Sequence, residues 1–568
     1  MAIIRISGPA SADVLQKLME PTNGAMPKPR YAAVRKLSTP IFDDCFDVDE
    51  DEEDNNNTND IDIDALDEAL VLYFPHKNSF TGEETVELQC HGSRGVISGI
   101  LDCLGHAFPT YYRLRAADRG EFTQRAYEAG RLNLLQIEAL ADLIVSETSA
   151  QRRLALKELS RENSSYITYD DWRTRLTKAL AHAEAVIDFG DDEENIGADE
   201  EVDVWIGVRE NVSALRSAME SHLCDGNRGE ITRDGMRVAI IGPPNAGKST
   251  LLNYLAKRDV AIVSDVAGTT RDVVEVALDL GGIKCIVSDT AGLRSEQSST
   301  LTDGDDVIID VVEVEGMKRA RDVAQRAHFT ICVVDASCNP KEAVQQLFSE
   351  LQSSDAAVAL DPSNTIFVAN KVDLLLSADN HHDNNSNNNS NSNSNNNNIE
   401  LAEALSNDIR EAMMMISAAA NENANENDAT IQATTTSHNN QQSSEISAFG
   451  ISCAEGHGVE SFLGALTSKV VARVAGPDSD DKQGSNTAVN VIGDQEGAVI
   501  TRARHRGHVQ HAVEALRKFD ALSHEGAWAL DLAAEELRLA ASELGRVVGA
   551  VDVEDVLDVL FSDFCIGK

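Results

Sequence analysis

Eight residues constrain the fold of this chain more than any others. Gly242-Pro-Pro-Asn-Ala-Gly-Lys-Ser249 follows the apolar run Arg237–Ile241 and precedes Ser249–Ala256, which reads as a helix. The stretch fits G-x-x-x-x-G-K followed by Ser or Thr, and a strand before it and a helix after it are the setting that pattern requires. Its glycines let a backbone wrap phosphate oxygens with N–H groups, and the helix N-terminus adds a favourable dipole. In such a loop Lys248 reaches the β- and γ-phosphates, and the Ser249 hydroxyl is placed for Mg2+. Asn245, Ala246, Gly247 and Thr250 complete the expected phosphate cradle.

Later motifs, each closing an apolar strand, complete the set. Asp289-Thr290-Ala291-Gly292 closes Cys285–Ser288. The Asp can hold the Mg2+ water shell and the Gly292 N–H can meet a γ-phosphate. Asn370-Lys371-Val372-Asp373 closes Thr365–Ala369. The two oxygens of Asp373 can accept the ring N–H and exocyclic NH2 of guanine, a donor pair adenine lacks. Ser452-Cys453-Ala454 follows another short strand and would back the base. Between the first two motifs, Gly268-Thr269-Thr270-Arg271-Asp272 offers a threonine as second Mg2+ ligand and γ-phosphate sensor. The ordered set predicts GTP rather than ATP. Leu293 follows the second motif, where a regulatory GTPase carries a water-orienting glutamine. Another residue must therefore position water, and a cation must stand in for an arginine finger.

The rest of the chain reads as three textures and two insertions. Residues 43–64 hold twelve acids and no Lys or Arg, and residues 377–447 include DNNSNNNSNSNSNNNN; both read as disordered insertions. Residues 1–114 mix strands (Ile3–Ile6, Ala69–Tyr73, Thr85–Gln89) with a helix-like Gly95–Gly105. Residues 115–228 are helical, with Trp172, Leu176, Leu180, Ala183 and Ile187 on one face. Residues 229–475 alternate strands and helices in the βα pattern of a parallel sheet. Residues 485–568 are helical again, with Leu530, Leu537, Leu544, Leu557, Leu560, Phe561 and Phe564 at helical spacing. The expected fold is α/β plus α+β: an N-terminal α+β domain, a discontinuous helical domain, and a Ras-like P-loop domain inserted between its halves.

The formal net charge of −45 argues against coating nucleic acid by bulk charge, but leaves room for a local basic patch. Apolar runs are strand-sized, so no membrane span is expected. The nine cysteines form no CxxC or CxxH pairs, which points away from disulfide and zinc frameworks and towards a reducing compartment.

Beyond the nucleotide motifs, the chain resembles the MnmE (TrmE) family of GTPases, which help to modify the wobble uridine of tRNA. The resemblance rests on IIRISG (3–8), NSFTGEETVELQCHG (78–92), RGEFTQRAYEAGRLNLLQIEALADLI (119–144), AEAVIDF (183–189), ARHR (503–506), PNAGKS, AGTTRD and, above all, the terminal FCIGK (564–568). It implies a mechanism in which K+ replaces the arginine finger, held by Asn245, Ser264, Val266 and Thr269, with Mg2+ on Ser249 and Thr270. It implies Glu313 as the water-orienting residue, three before Gly316, with Glu315 as a nearby competitor. The segment SEQSSTLTDGDD lengthens the spacing from Arg294 to Glu313 beyond the family's.

The resemblance also implies a dimerising N-terminal domain that binds a tetrahydrofolate derivative (5,10-methylene or 5-formyl) through Arg5, Glu87, Arg131 and Lys568. Arg131 stands where relatives carry lysine, which keeps the charge but changes the geometry. Cys565 matches a cysteine the family needs for modification; read from the residues alone, it could equally be a buried thiol at a helix end. The implied partners are a second copy of the chain, an MnmG-type protein carrying FAD, and tRNA. The implied reaction places an aminomethyl-type group at C5 of the uridine.

The principal alternative is a ribosome-assembly GTPase of the Era/Der type, which would end in a KH-like domain with a GxxG loop; this chain ends in a helical segment and CIGK. A P-loop kinase or ATPase is disfavoured by NKVD. Family members begin about one strand before IIRISG, and the Asn-rich stretch suggests a eukaryotic chain. The expectation is therefore a soluble mitochondrial protein, or a plastid one, with a transit segment preceding Met1.

Overall fold

The structure, a computed structural model, describes residues 1–22, 24–42, 64–160, 165–189, 198–243, 245–258, 260–262, 274–289, 323–337, 339, 342–345, 364–379, 404, 407, 411, 447–475, 500–525, 527–551 and 554–564. They fall into two compact units. One comprises Met1–Val145, Ala155–Leu223 and Arg504–Lys568, and the other Ser146–Leu154 and Cys224–Ala503. Most of both expected insertions lies outside the described residues. The helix Val372–Asp379 carries three residues into the stretch assigned to the second.

The first unit opens with a four-stranded antiparallel sheet made of β1 (Ala2–Ser7), β2 (Ala33–Ser38), β3 (Ala65–Phe74) and β4 (Thr85–Cys90), in the order β1-β4-β3-β2. Side chains alternate between the sheet faces. Ile6, Val71, Val86, Leu88 and Cys90 turn to one face and pack with Val14, Leu15 and Leu18 of the helix Ser11–Met19 and Ile100 of the helix Arg94–Asp102. Each such fully buried aliphatic side chain contributes about 1.5–3 kcal/mol. The opposite face carries Arg5 on β1, directly paired with Glu87 on β4.

β2 was not expected. Its sequence, AVRKLS, sets Arg35 and Lys36 beside a single large buried residue, Leu37, and it runs at the sheet edge. The helix-like stretch Gly95–Gly105 is a helix from Arg94 to Asp102, capped by the Ser93 hydroxyl accepting from Val96 N, followed by a wider turn over Cys103–Ala107.

Four long helices, Ser165–Phe189, Ala198–Leu223, Ala503–Leu522 and Leu530–Val548, share the second core of this unit. Trp172, Leu176 and Ala183 are buried in it, with Leu180 and Ile187 packed at its margin, as the 3.6-residue spacing requires. Leu537 and Leu544 enter from the last of the four. Buried charge ties the C-terminal part of the chain to the N-terminal part. Glu138, 3% exposed, accepts from Arg504 Nη2 at 2.9 Å, and His505 Nε2 lies 2.8 Å from its other oxygen. Removing one member would strand a charge in apolar surroundings.

The second unit is a six-stranded sheet, β5 (Met236–Ile241), β6 (Val274–Leu280), β7 (Ile283–Asp289), β8 (Phe329–Asp335), β9 (Thr365–Asn370) and β10 (Ser447–Gly450), ordered β10-β9-β8-β5-β7-β6. Five strands are parallel. β6 departs from the expected all-parallel sheet: it is antiparallel to β7. Gly281 (φ +65°) and Gly282 (φ +90°) make the two-residue turn between them, a conformation that favours glycine at both positions. Apolar cores cover both faces of the sheet. Val238, Ile240, Val287 and Val333 pack against Leu251 and Leu255 of the helix Lys248–Ala256 and Phe462 and Leu466 of the helix Val459–Ala475. Ala239, Ile241, Val334 and Phe367 face the other way.

Candidate nucleotide-binding site and a second cavity

The carboxyl ends of β5, β7, β8 and β9 bring the expected nucleotide motifs to one edge of the sheet. Where β5 ends, Gly242 takes φ +153°, Asn245 φ +63° and Gly247 φ +93°. Glycine is required twice for contact as well as for conformation. A Cβ on Gly242 would lie 2.0 Å from Val333 O, and one on Gly247 would lie 2.1 Å from Asn370 Nδ2. Gly247 then caps the helix that begins at Lys248. Lys248 is 8% exposed, and its Nζ donates to Gly242 O at 2.8 Å and Pro243 O at 2.9 Å. Asn245, Ser249 and Thr250 are exposed on the loop and first helical turn, while Ala246 is buried beneath them.

Asn370, the last residue of β9, ties this loop to the base-recognition segments. Its Nδ2 donates to Ala246 O at 3.0 Å, and its Oδ1 accepts from Cys453 N at 3.2 Å. Ser452-Cys453-Ala454 lies in a tight turn, where Ser452 N donates to His457 O at 3.0 Å and Ser452 Oγ accepts from Glu455 N at 3.2 Å. Val372 N donates to Ile451 O at 3.2 Å, holding the start of the Asp373 helix against that turn. Burial pushes the Cys453 thiol up to about 12, with the negative charge of Asp373 adding to the shift. Asp373 and Cys453 are therefore electrostatic neighbours, and the thiol remains protonated at neutral pH.

Asp335 was not anticipated. It ends β8 in register with Asn370. Its Oδ2 accepts from Lys371 Nζ at 2.6 Å, and its Oδ1 accepts from Ser337 N and Oγ at 2.9 and 2.6 Å. Burial pushes its carboxyl up, but the Lys371 and Ser337 hydrogen bonds outweigh that and hold it below the usual carboxylate range. Lys371 sits at φ +70°, and Asp335 fixes the direction its side chain takes from there. The available signal was positional: Asp335, like Asp289, closes an apolar strand.

Asp289 ends β7 in register with Ile240 of β5, next to the phosphate loop. Ser264, Val266, Thr269, Thr270, Thr290, Ala291, Gly292, Glu313 and Glu315 lie outside the described residues, as do Cys565 and Lys568.

The first unit holds a second candidate site on the sheet face that carries Arg5. Arg5 Nε donates to Glu87 Oε1 at 2.9 Å. The pair lines a cavity of about 340 Å³ whose other walls include Phe74, Phe80, Phe122 and Thr123. Arg131 is not on this wall. Its Nη2 donates to Lys77 O and Ser79 O at 2.9 and 2.8 Å, clamping the loop that supplies Asn78 and Phe80 to the cavity. The C-terminal helix Glu554–Asp563 comes close to the same region. A Cβ on Gly120, two residues before Phe122, would lie 2.8 Å from Phe561 Cα. Phe561 and Phe564 are buried with Leu134 and Ile137 of the helix Leu134–Val145, whose Leu140 and Ile144 reach the cavity. The aromatic walls were not anticipated, because Phe74 comes from a strand end, Phe80 from a loop and Phe122 from a helix, and nothing in their spacing marks them as one wall.

Comparison with known proteins places the whole chain in one family. The pattern of the MnmE helical domain matches residues 134–565, and that of the GTP-binding protein TrmE N-terminus matches residues 1–131. The chain is 35% identical to the zebrafish (Danio rerio) mitochondrial 5-taurinomethyluridine tRNA synthase subunit GTPB3, covering all of this chain and 90% of that protein. It is 34% identical to the human (Homo sapiens) protein of the same name, with the same coverage. It is 36% identical to the tRNA modification GTPase MnmE of Parvibaculum lavamentivorans, covering all of this chain and 97% of that one. With a P-loop closed by Asn370, a folded N-terminal sheet and matches along its whole length, this chain belongs to the MnmE (TrmE) family.

Proposed function

We propose that this chain is a GTP hydrolase that works in the modification of C5 of the tRNA wobble uridine. The observation that carries the reading is the pair of hydrogen bonds made by the Asn370 side chain, to Ala246 O in the phosphate loop and from Cys453 N in the base loop, with Asp373 three residues on. That arrangement supports phosphate and base recognition at one edge of the sheet. Lys248 meets the β- and γ-phosphate charge, the Ser249 hydroxyl serves Mg2+ with Thr270, and Asp373 reads the guanine edge. Thr250, Asp289, Thr290, Ala291, Gly292, Lys371, Ser452 and Ala454 complete the GTP contacts.

In the same reading, Asn245, Ser264, Val266 and Thr269 hold K+ in place of an arginine finger, and Glu313 orients the attacking water. Nucleotide binding draws two G domains of a homodimer together. The second cavity receives a tetrahydrofolate derivative, which supplies the one-carbon unit. The Arg5–Glu87 pair, the phenyl walls and a polar wall residue suit a flat heteroaromatic ring with N–H donors at its edge. Arg131 supports this site through its loop, and the reading also assigns Lys568 to the folate and Cys565 to the modification chemistry. An MnmG-type protein carrying FAD completes the complex on tRNA and accounts for much of the tRNA contact of so acidic a chain. The compartment is the mitochondrion, the one named for the vertebrate relatives. No helix among the described residues is long and apolar enough to cross a membrane.

The test is GTP hydrolysis by the purified chain in KCl and in NaCl at equal ionic strength. Activation of at least about tenfold by potassium is expected, the order of effect of supplying one transition-state cation contact. Equal rates would overturn the potassium site.

A further inference from the structure

We infer that Thr123 is a ligand-contacting residue of the second cavity, its hydroxyl bonding the polar edge of the planar heteroaromatic ring bound there. The inference rests on the proposed folate reading of that cavity and names a residue the reading did not include.

Thr123 is fully buried, lines the cavity, and its Oγ1 has no hydrogen-bond partner among the described residues. A buried hydroxyl without a partner loses its hydration and gains nothing in return. Valine would fill the same space without that cost. The helix Glu121–Glu128 cannot easily shift to relieve it. Arg115 grips Glu121 through both guanidinium nitrogens (2.8 and 2.7 Å), and Arg125 bonds Glu121 and Glu83 at 2.7 Å each. The neighbouring Phe122 lines the same wall, with Glu87 available as a carboxylate acceptor. A hydroxyl both donates and accepts, so Thr123 can serve a ring N–H or a ring carbonyl. Within a helix threonine samples two χ1 wells, which lets Oγ1 exchange places with its methyl. Ser11 and Ser38 also carry buried hydroxyls without partners among the described residues, but neither lines the cavity.

The experiment titrates the full-length protein with 5-formyltetrahydrofolate by calorimetry and measures the melting temperature of each free variant. Thr123→Val should weaken binding about tenfold, as loss of one buried hydrogen bond does, while the free protein melts at the same temperature or higher. Thr123→Ser should bind within about threefold of the natural protein. Ser38→Ala, which removes a comparable hydroxyl away from the cavity, should leave affinity unchanged. Natural affinity in Thr123→Val, or a lowered melting temperature for it, overturns the assignment of Thr123 alone. Absence of binding by the natural protein overturns the folate reading and the assignment with it.

Discussion

Asp373→Asn should convert the protein from a guanosine to a xanthosine nucleotide enzyme. In the proposed reading the carboxylate would accept from two guanine donors at once, and charge-assisted hydrogen bonds are about twice as strong as neutral ones. An amide in its place keeps one acceptor and turns a donor towards the guanine amino group. GTP affinity should fall by about 10²-fold or more, the order expected when a buried donor loses its charged acceptor. Xanthine carries a carbonyl where guanine has the amino group, so the same amide pairs with it. The surroundings support a local effect. Asn370 joins the phosphate and base loops, and Cys453 is held through its backbone N–H. Competition binding with labelled GTP and XTP checks the prediction; an unchanged guanine preference would remove Asp373 from base recognition.

Lys248→Ala should reduce hydrolysis by about 10²–10³-fold, the usual cost of removing one donor from developing transition-state charge in a closed site. Lys248 is almost entirely buried under its own loop, with Nζ on two loop carbonyls, so no neighbouring water or side chain replaces the ammonium easily. Alanine is the best helix former, and position 248 opens the helix Lys248–Ala256. The fold should therefore survive, and single-turnover hydrolysis beside a melting curve separates the two effects. A rate within threefold of the natural protein would contradict the assigned role.

The legibility of this chain in its sequence follows from where its backbone is buried. β5 and β9 lie inside a sheet covered on both faces and read as nearly continuous apolar runs. β6 is an edge strand whose Glu275 and Asp279 interrupt the run, and only Gly281-Gly282 marks its turn back into β7. β2 escaped notice for the same reason. The phosphate loop and the Asn370–Asp373 motif were legible because their chemistry demands particular residues at fixed spacing. Asp335 and Thr123 were not. Asp335 acts by pairing with Lys371, 36 positions away, and Thr123 stands out only because its hydroxyl is buried without a partner among the described residues. Arg131, which matches a ligand contact in the resemblance, donates its Nη2 to two carbonyls of a cavity loop, a partnership its sequence position does not display.

The most direct test of the account is made in cells stripped of their own MnmE-family protein, with tRNA nucleosides analysed by mass spectrometry after this chain is expressed. The account predicts that the modified wobble uridine returns with the natural chain and stays absent with Lys248→Ala. Persistent unmodified uridine, from a chain that hydrolyses GTP and is present at normal levels, would contradict it.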